Sequence, residues 1–182
     1  MAGQQRELVY CALFGVTPGP SPMPTGKGLL SLVPSPTYSA SAPEWQAGAV
    51  LTSSKPFAIA SRRKFALGQA GIANYPALYL IEVGEEYTRQ LMFGPPKVTF
   101  ISHVQLESAT GTDPNSVSAS EINNLADVVE DAVEGPLPGT DNLGGLVMVS
   151  RINGREVVDV ASGSGRWTIQ ILEVETIVTH GP

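Results

Sequence analysis

The chain has 182 residues, of which 42% are hydrophobic, and a formal net charge of −6 at pH 7. A chain of this length and apolar content is expected to bury the core of one ordinary domain without disulfides or structural metal. Its single cysteine, Cys11, excludes an internal disulfide, and its two histidines, His103 and His180, lie in no zinc-binding spacing. No segment approaches the roughly 20 apolar residues of a transmembrane helix, so we expect a soluble protein made in the cytoplasm.

The N-terminal part is predicted to form a short helix followed by a long proline-rich segment. Residues 1–16 place an apolar stripe on one helical face, and Gly15 is expected to end the helix. The stripe consists of Leu8, Val9, Ala12 and Leu13. From residue 17 to residue 56, eight prolines exclude a continuous helix or a central strand. The sequence therefore predicts an extended arm or insertion over residues 17–56, with Tyr38 and Trp45 as the anchoring side chains.

Residues 57–182 are predicted to form the rest of the core, beginning with three strands. Residues 57–63 and 76–83 suit strands, and residues 84–96 are predicted to form an extended hairpin loop. Residues 97–107 give the clearest strand, because apolar and polar residues alternate except at Ile101 and Ser102. Its apolar face is formed by Val98, Phe100, Val104 and Leu106.

A helix and a second group of strands are predicted to follow. Residues 120–134 carry apolar side chains at helical spacing, with Ser120 as N-cap and Gly135-Pro136 as the stop. These apolar residues are Ile122, Leu125, Ala126, Val129, Ala132 and Val133. Strands at 146–152 and 155–160 are predicted to be joined by a hairpin turn at Asn153-Gly154. A last strand over 166–178 changes its apolar phase near residues 171–172, which predicts a bulge.

This order of elements predicts one α+β domain. We expect a small, mostly antiparallel sheet packed with one long and one short helix, in a subunit that carries an extended proline-rich arm.

The reactive residue types predict no catalytic, cofactor-binding or metal site. Cys11 lacks a recognisable base and is expected to pack as a small hydrophobe. The glycine-rich segments 144–145 and 163–165 lack phosphate-binding or dinucleotide spacing, so turns or bulges are expected there. A small hydrolase stays an alternative that would require a clustered, perturbed titratable group in a deep pocket.

Charge is distributed unevenly along the chain. No Lys or Arg lies between Lys97 and Arg151, whereas eight acidic residues fall there. A surface built from this segment is expected to repel nucleic-acid phosphates, although simple solubility is the alternative explanation. The basic cluster Arg62-Arg63-Lys64 is too small for a nucleic-acid site and is better suited to pairing with carboxylates.

Several short motifs, taken in order, resemble the tail terminator proteins of long-tailed (siphovirus-type) bacteriophages and prophages. They are Ser61-Arg62-Arg63, Tyr75-Pro76-Ala77-Leu78, Gly84-Glu85-Glu86, the helical Asn123-Asn124-Leu125, Asn142-Leu143-Gly144-Gly145-Leu146-Val147 and Ile152-Asn153-Gly154. The resemblance covers residues 57–178 and the first helix. Segment 17–56 departs from it, because the family usually has a short connection there.

The resemblance implies a non-enzymatic virion protein that assembles as a homo-hexameric ring at the tail–neck junction. Such a ring caps the tail tube protein, stops tube growth and provides the docking surface for the head-completion (stopper) protein. Phage DNA would pass through without specific binding, and no membrane, metal or cofactor is implied. Another head–tail connector component, a stopper or adaptor, is the chief alternative, and a tail-tube protein is a weaker one.

Two groups of residues are predicted to serve such a ring. Contacts with neighbouring subunits are expected from the basic cluster, the 84–96 loop and the arm, because hairpins and arms can add to a neighbour's sheet edge. These residues are Arg62, Arg63, Glu85, Glu86, Tyr87, Arg89, Met92, Phe93, Tyr38 and Trp45. An acidic lining of the lumen is expected from Asp127, Glu130, Asp131 and Glu134.

Overall fold

The computed structural model describes residues 2–34, 36–39, 42–47, 55–62, 75–88, 97–110, 119–135, 142–162 and 165–179. Helix α1 (Ala2–Phe14) is followed by a 3-10 turn (Leu29–Leu32) and by strands β1 (Pro36–Ser39), β2 (Ala42–Ala47) and β3 (Ile59–Ser61). Then come β4 (Ala77–Thr88), β5 (Lys97–Thr110), helix α2 (Ala119–Glu134), β6 (Val149–Ser162) and β7 (Gly165–Thr179). None of the helices in these ranges is long and apolar enough to cross a membrane.

Five strands form one mixed sheet in the order β3-β4-β5-β7-β6. β3 runs parallel to β4, and the other three pairings are antiparallel. β7 is the last strand in the chain but lies between β5 and β6, so α2 makes the connection that crosses from β5 to the β6 edge. The α+β class predicted from the sequence is confirmed, with a mostly antiparallel sheet and two helices.

One face of the sheet packs against the helices and forms the main core. Alternate residues of β5 face it, and the four apolar residues predicted for this face are all buried. α2 contributes Leu125, Ala126, Val129 and Val133 to the same cluster. Burial of such side chains contributes roughly 1.5–3 kcal/mol each, so this layer supplies most of the stabilisation. The predicted β5 face is confirmed, and so is the α2 stripe where the structure describes it, except that Ala132 is only partly buried.

α1 ends as predicted at Gly15, whose φ of 97° lies in the left-handed region. Its buried face differs from the predicted stripe. Leu8 and Ala12 are only partly buried. The buried residues are Val9, Tyr10, Cys11, Leu13 and Phe14. The buried rings of Tyr10 and Phe14 lie on the face of α1 that contacts the sheet. The ring centroids of Tyr10 and Phe100 lie 6.4 Å apart.

Segment 17–56 differs from a simple extended arm. Leu29, Leu30 and Val33 lie between its prolines and are buried in the main core. β1 and β2 form a two-stranded sheet in which Tyr38 is paired with Trp45, and β2 contacts β3. The prolines led to the prediction of an extended segment, but the aliphatic residues between them are buried in the core. The arm prediction is therefore wrong for residues 29–33.

The predicted hairpin at Asn153-Gly154 is wrong, because β6 is one strand. β6 pairs with β7 on both sides of this dipeptide, and Asn153 is the extra residue of a bulge between Ile152 and Gly154. Gly154 does not adopt the positive φ that a type I′ turn requires. The two strands instead pair as far as Ser162 and Gly165.

The bulge predicted on β7 is also wrong. β7 pairs with both neighbours without a register shift near residues 171–172. Its even-numbered residues from Thr168 to Val178 are all buried, and its odd-numbered ones from Trp167 to Ile177 are partly buried. The apolar phase changes because Trp167 belongs to a smaller cluster on the opposite face, with Tyr75, Tyr79 and Ile81.

This second cluster also explains an error in β5. The alternation along β5 predicts that Gln105 and Glu107 lie on its polar, exposed face, yet they are 3% and 0% exposed. Gln105 Nε2 donates to Glu107 Oε1 at 2.6 Å. At this end, the described residues thus cover both faces of the sheet.

Three boundaries also differ from prediction. β3 has only three residues, and β4 continues to Thr88, so the first part of the predicted 84–96 loop is strand. A bulge between Glu82 and Gly84 interrupts its pairing with β5. α2 begins at Ala119, so Ser120 lies inside the helix and is not its N-cap. Its predicted stop is confirmed, since Gly135 has a φ of 77°.

Candidate assembly surfaces

β6 is an exposed edge of the five-stranded sheet. It is 14 residues long, and within the described part of the chain it pairs only with β7. Residues 153–159 are all exposed, including Val157 at 53% and Val158 at 37%. Successive strand residues point to opposite faces, so these valines flank the edge on both sides. The outer main-chain groups of such an edge are open to a strand of another chain.

The charged residues of this edge are mostly turned back onto their own subunit. Arg155 donates to Glu130 at 2.7 Å and to Asp127 at 2.8 Å. Asp159 accepts a hydrogen bond from the Thr168 hydroxyl at 2.8 Å. Charged side chains that project outward commonly protect edge strands from pairing. Among the charged residues of 155–159, only the exposed Glu156 has no side-chain partner in the described part of the chain, so the edge is weakly protected.

A second exposed edge lies at the opposite end of the sheet. β3 pairs with residues 77–79 of β4, and residues 80–88 have no further strand beside them in the described ranges. This distal half of β4 carries Val83, 51% exposed, and Tyr87, 57% exposed. The two edges are built from different residues and carry four of the six exposed large apolar side chains among the described residues.

Arg62 joins β3, α1 and β4 within one chain. It contacts Glu7 at 2.7 and 3.1 Å and Glu82 at 2.6 Å, and its guanidinium lies 5.7 Å from the centre of the Tyr10 ring. Burial opposes the charge of Arg62, but the bonds to the two carboxylates outweigh it and raise its pKa. The hydrogen bond from Arg62 lowers the pKa of Glu7. The sequence prediction paired Arg62 with a neighbouring subunit, whereas here its partners are internal.

Replacing Arg62 should make stability less dependent on pH in the acidic range. The pKa of Glu7 in the folded protein lies below its ordinary value. Ionised Glu7 therefore stabilises the fold at pH values above its ordinary pKa, and this stabilisation is lost as the pH falls through the folded pKa. Because these groups are partly exposed, we expect Arg62→Gln to cost about 1 kcal/mol at pH 7 and clearly less below about pH 4. Urea unfolding at both pH values measures this, and an equal loss at both would contradict it.

The other predicted contact residues of β4 lie at its exposed end. Glu85 accepts hydrogen bonds from Arg6 and from the Tyr87 hydroxyl, each at 2.7 Å. The bond to Glu85 raises the pKa of Tyr87, whose ring stays exposed. Glu86 is exposed beside them. The predictions for Arg63, Arg89, Met92 and Phe93, and for the side chains of Tyr38 and Trp45, lie outside the described residues.

The four acidic residues predicted to line a lumen are mostly engaged with β6. Asp127 and Glu130 bind Arg155, whose pKa is raised by the hydrogen bond to Asp127. Glu134 accepts the main-chain N–H of Ile152 beside the β6 bulge. Asp131 is exposed and has no such contact within the described ranges. No sequence pattern predicts these contacts of Arg155, because it lies 28 and 25 residues from its partners.

The open face of the sheet carries a small polar cluster. Arg151 binds Glu175 at 2.6 Å, Asn153 contacts Glu173 and Glu175, and His103 lies 3.9 Å from Glu173. No group of three or more His, Cys, Asp or Glu able to hold a metal occurs among the described residues. These contacts join β5, β7 and β6 across the face.

Cys11 is buried, as expected for a small hydrophobe, and its thiol donates to Glu7 at 3.3 Å. Burial, together with Glu7, raises the pKa of Cys11 from its ordinary value of 9.0 to about 11. Two pKa units reduce the thiolate fraction at pH 8 about 100-fold. We expect a thiol-reactive disulfide reagent to modify the folded protein at least about 100-fold more slowly than the urea-unfolded protein. Similar rates in the two states would contradict this.

No protein-family model and no curated protein matches the chain. The resemblance to tail terminators therefore rests on the short sequence motifs alone. The two exposed edges are the structural features from which a function can be inferred.

Proposed function

We propose that this protein is a structural subunit whose copies join head to tail into a ring, and that the ring is the terminator of a long-tailed phage tail tube. The observation that carries the proposal is the pair of unlike exposed edges, β6 and residues 80–88 of β4, at opposite ends of one sheet. When two copies join through unlike surfaces, the pair still has one free surface of each kind and can bind further copies. Such contacts form a closed ring when the rotation between copies permits closure.

Strand addition supplies a mechanism for this contact. Each new main-chain hydrogen bond contributes roughly 0.5–1.5 kcal/mol net. The valines of β6 and the Val83 and Tyr87 side chains would be covered in the same contact, with up to roughly 1.5–3 kcal/mol per fully buried side chain. Association itself costs an estimated 4–15 kcal/mol, so a single contact is weak. Ring closure gives each subunit two contacts and favours the closed assembly.

The resemblance supplies the location and the partners in this proposal. A homo-hexameric ring would sit at the tail–neck junction of the virion after assembly in the host cytoplasm. One side would contact the tail tube protein and the other the head-completion protein, while DNA passes without specific binding. This role is architectural and requires no catalysis. A stopper or adaptor ring would use the same edges at a different position, and a tail-tube subunit is the weaker candidate.

Electron microscopy of particles assembled without this protein tests the position of the ring. A terminator stops polymerisation, so its loss should give tubes that exceed the normal length and carry no heads. Supplying the wild-type protein in trans should restore normal length and head attachment. Complete free tails of normal length together with leaky heads would contradict the terminator proposal and indicate a stopper.

A further inference from the structure

The exposed strand β6 is divided by its bulge between Ile152 and Gly154, and side chains of α2 contact it on both sides of that bulge. β6 has 14 residues and pairs only with β7 in the described part of the chain. A strand that adds to such an edge needs free main-chain N–H and C=O groups along it. The contacts from α2 therefore decide which part of β6 can accept a strand.

Before the bulge, the edge is closed by Glu134 at the end of α2. Its carboxylate accepts the main-chain N–H of Ile152. A donor that is bonded to a carboxylate in this way is not available to the carbonyl of a further strand. Displacing Glu134 would deprive a partly buried carboxylate of its donor, which costs more than an ordinary hydrogen bond returns. Residues 149–152 are thus unsuited to strand addition.

The position of Glu134 is unfavourable for the helix itself. α2 ends at this residue, and its last turn contains no basic residue. The C-terminal end of a helix carries partial negative charge, so an acidic side chain there weakens the helix. The hydrogen bond from the Ile152 N–H offsets this effect. A residue that opposes its own helix but satisfies a distant strand points to a role at that strand.

The bulge is also held from the open face of the sheet. Asn153, its extra residue, donates to Glu175 at 3.0 Å and to Glu173 at 3.3 Å. Arg151 binds Glu175 at 2.6 Å on the same face. Because Glu134 contacts the strand from the helix face, the bulge is fixed from both faces of the sheet. Bulges interrupt pairing, so a fixed bulge separates two parts of the edge.

Beyond the bulge, the contacts with α2 leave the edge open. Arg155 is drawn back onto α2 by Asp127 at 2.8 Å and by Glu130 at 2.7 Å. Val157 and Val158 are exposed beside it. Residues 155–162 are similar in length to the open segment 80–88 of β4, whereas the whole of β6 is longer. The two open segments therefore match each other in extent.

We propose that Glu134 sets the register of the ring contact by confining strand addition on β6 to residues 155–162. The proposal rests on the proposed ring, because it concerns the same edge and specifies how that edge is used. A neighbour's strand that reached residues 149–152 would have to displace Glu134, whereas a strand placed beyond the bulge would not. Glu134 is thus a positioning residue that fixes where the neighbour's strand begins.

The test is an NMR titration of the isotope-labelled Val83→Lys protein with a capped peptide of the natural sequence 80–88. The substitution places a charge on the β4 edge and leaves β6 intact, so the protein should stay monomeric. We expect a dissociation constant on the order of 1 mM, because the free peptide loses its conformational freedom on binding. Within β6, the amide shifts should be confined to residues 155–162 and absent from 149–152.

Three further substitutions in this protein isolate the role of Glu134. Glu134→Ala frees the Ile152 N–H, so the shifts should extend to residues 149–152 and binding should tighten about two- to tenfold. Glu134→Gln keeps an acceptor at the same position and should keep the shifts confined. Asp131→Ala is the matched control for loss of charge, because Asp131 is exposed at the same helix end and has no hydrogen bond to β6 within the described residues. It should also keep the shifts confined, and the spectrum of each variant without peptide shows whether it is folded.

The possible failures are distinguishable. Shifts that reach residues 149–152 while Glu134 is present would overturn the proposal and leave the ring contact standing. Shifts that stay confined in Glu134→Ala would overturn it as well, and so would shifts that extend equally in Asp131→Ala. An absence of shifts along β6 in every variant would contradict the ring contact itself and the proposal with it.

Discussion

Val158→Lys is expected to prevent ring formation and to leave the subunit folded. Val158 lies on the outer strand β6 and is 37% exposed, so the lysine is tolerated in the monomer. In a strand-added contact its ammonium would lie beside the incoming strand, as in natural edge protection. We expect each contact to weaken about 10- to 100-fold, and sedimentation at high protein concentration should show monomers. Asn124→Lys adds the same charge to an exposed position of α2 and should leave assembly unchanged.

A second variant distinguishes a head-to-tail ring from a two-fold dimer. Val83→Lys changes the other edge and should also prevent ring formation. Mixing the Val158→Lys and Val83→Lys proteins leaves one intact edge on each, so the mixture should form one-to-one dimers and stop there. If β6 instead paired with β6, Val83→Lys alone would retain dimers and the mixture would add nothing. That result would contradict the proposed contact.

Gly28→Ala is expected to cause a large loss of folding stability. Gly28 has a φ of 61°, and a Cβ at this position would lie 2.5 Å from the carbonyl oxygen of Leu13 and 2.9 Å from that of Ala12. The left-handed conformation costs an alanine roughly 1–2 kcal/mol, and the contact with rigid backbone adds to it. We therefore expect a loss of about 3 kcal/mol or more in the free energy of unfolding.

Gly26→Ala is the matched control for this substitution. Gly26 has a similar φ of 75°, but a Cβ there meets nothing within 4 Å. It should lose only the conformational term, about 1–2 kcal/mol. Urea unfolding monitored by circular dichroism measures both variants. Equal losses would show that the approach of Gly28 to the end of α1 does not stabilise the fold.

The sequence predicts those elements whose side-chain pattern is decided locally. α2 is recognisable because its apolar residues recur at helical spacing and Gly135 stops it. The apolar face of β5 is recognisable by alternation. Gly15 likewise marks the end of α1, because a positive φ is available to glycine at low cost. In each case neighbours in sequence are sufficient to specify the element.

The errors arise where distant strands decide the conformation. Asn153-Gly154 is a strong turn signal, but pairing of β6 with β7 along its whole length makes it a bulge. Glu107 is buried by a cluster from β4 and β7 that alternation within β5 does not reveal. Leu29 and Leu30 reach the core from a segment whose prolines indicated only irregular structure.

The candidate surfaces were predicted in part. Glu85, Glu86 and Tyr87 do lie at an exposed end of the sheet, but the β6 edge was not anticipated, because the turn prediction divided that strand in two. The link from Arg155 to Asp127 and Glu130 depends on the packing of α2 over β6. A pocket lined by Leu8 and Ala12 of α1 and by Ala132 of α2 was not predictable either, because the proximity of the two helices depends on the fold and not on either segment.

Cryo-electron microscopy of the assembled particle tests the central claim most directly, because it gives the number, position and mutual contacts of the copies. The account predicts a closed ring of six copies at the head-proximal end of the tail tube, with β6 of each copy beside residues 80–88 of the next. A ring joined through other surfaces, copies related by two-fold axes, or a particle that lacks the protein would contradict it.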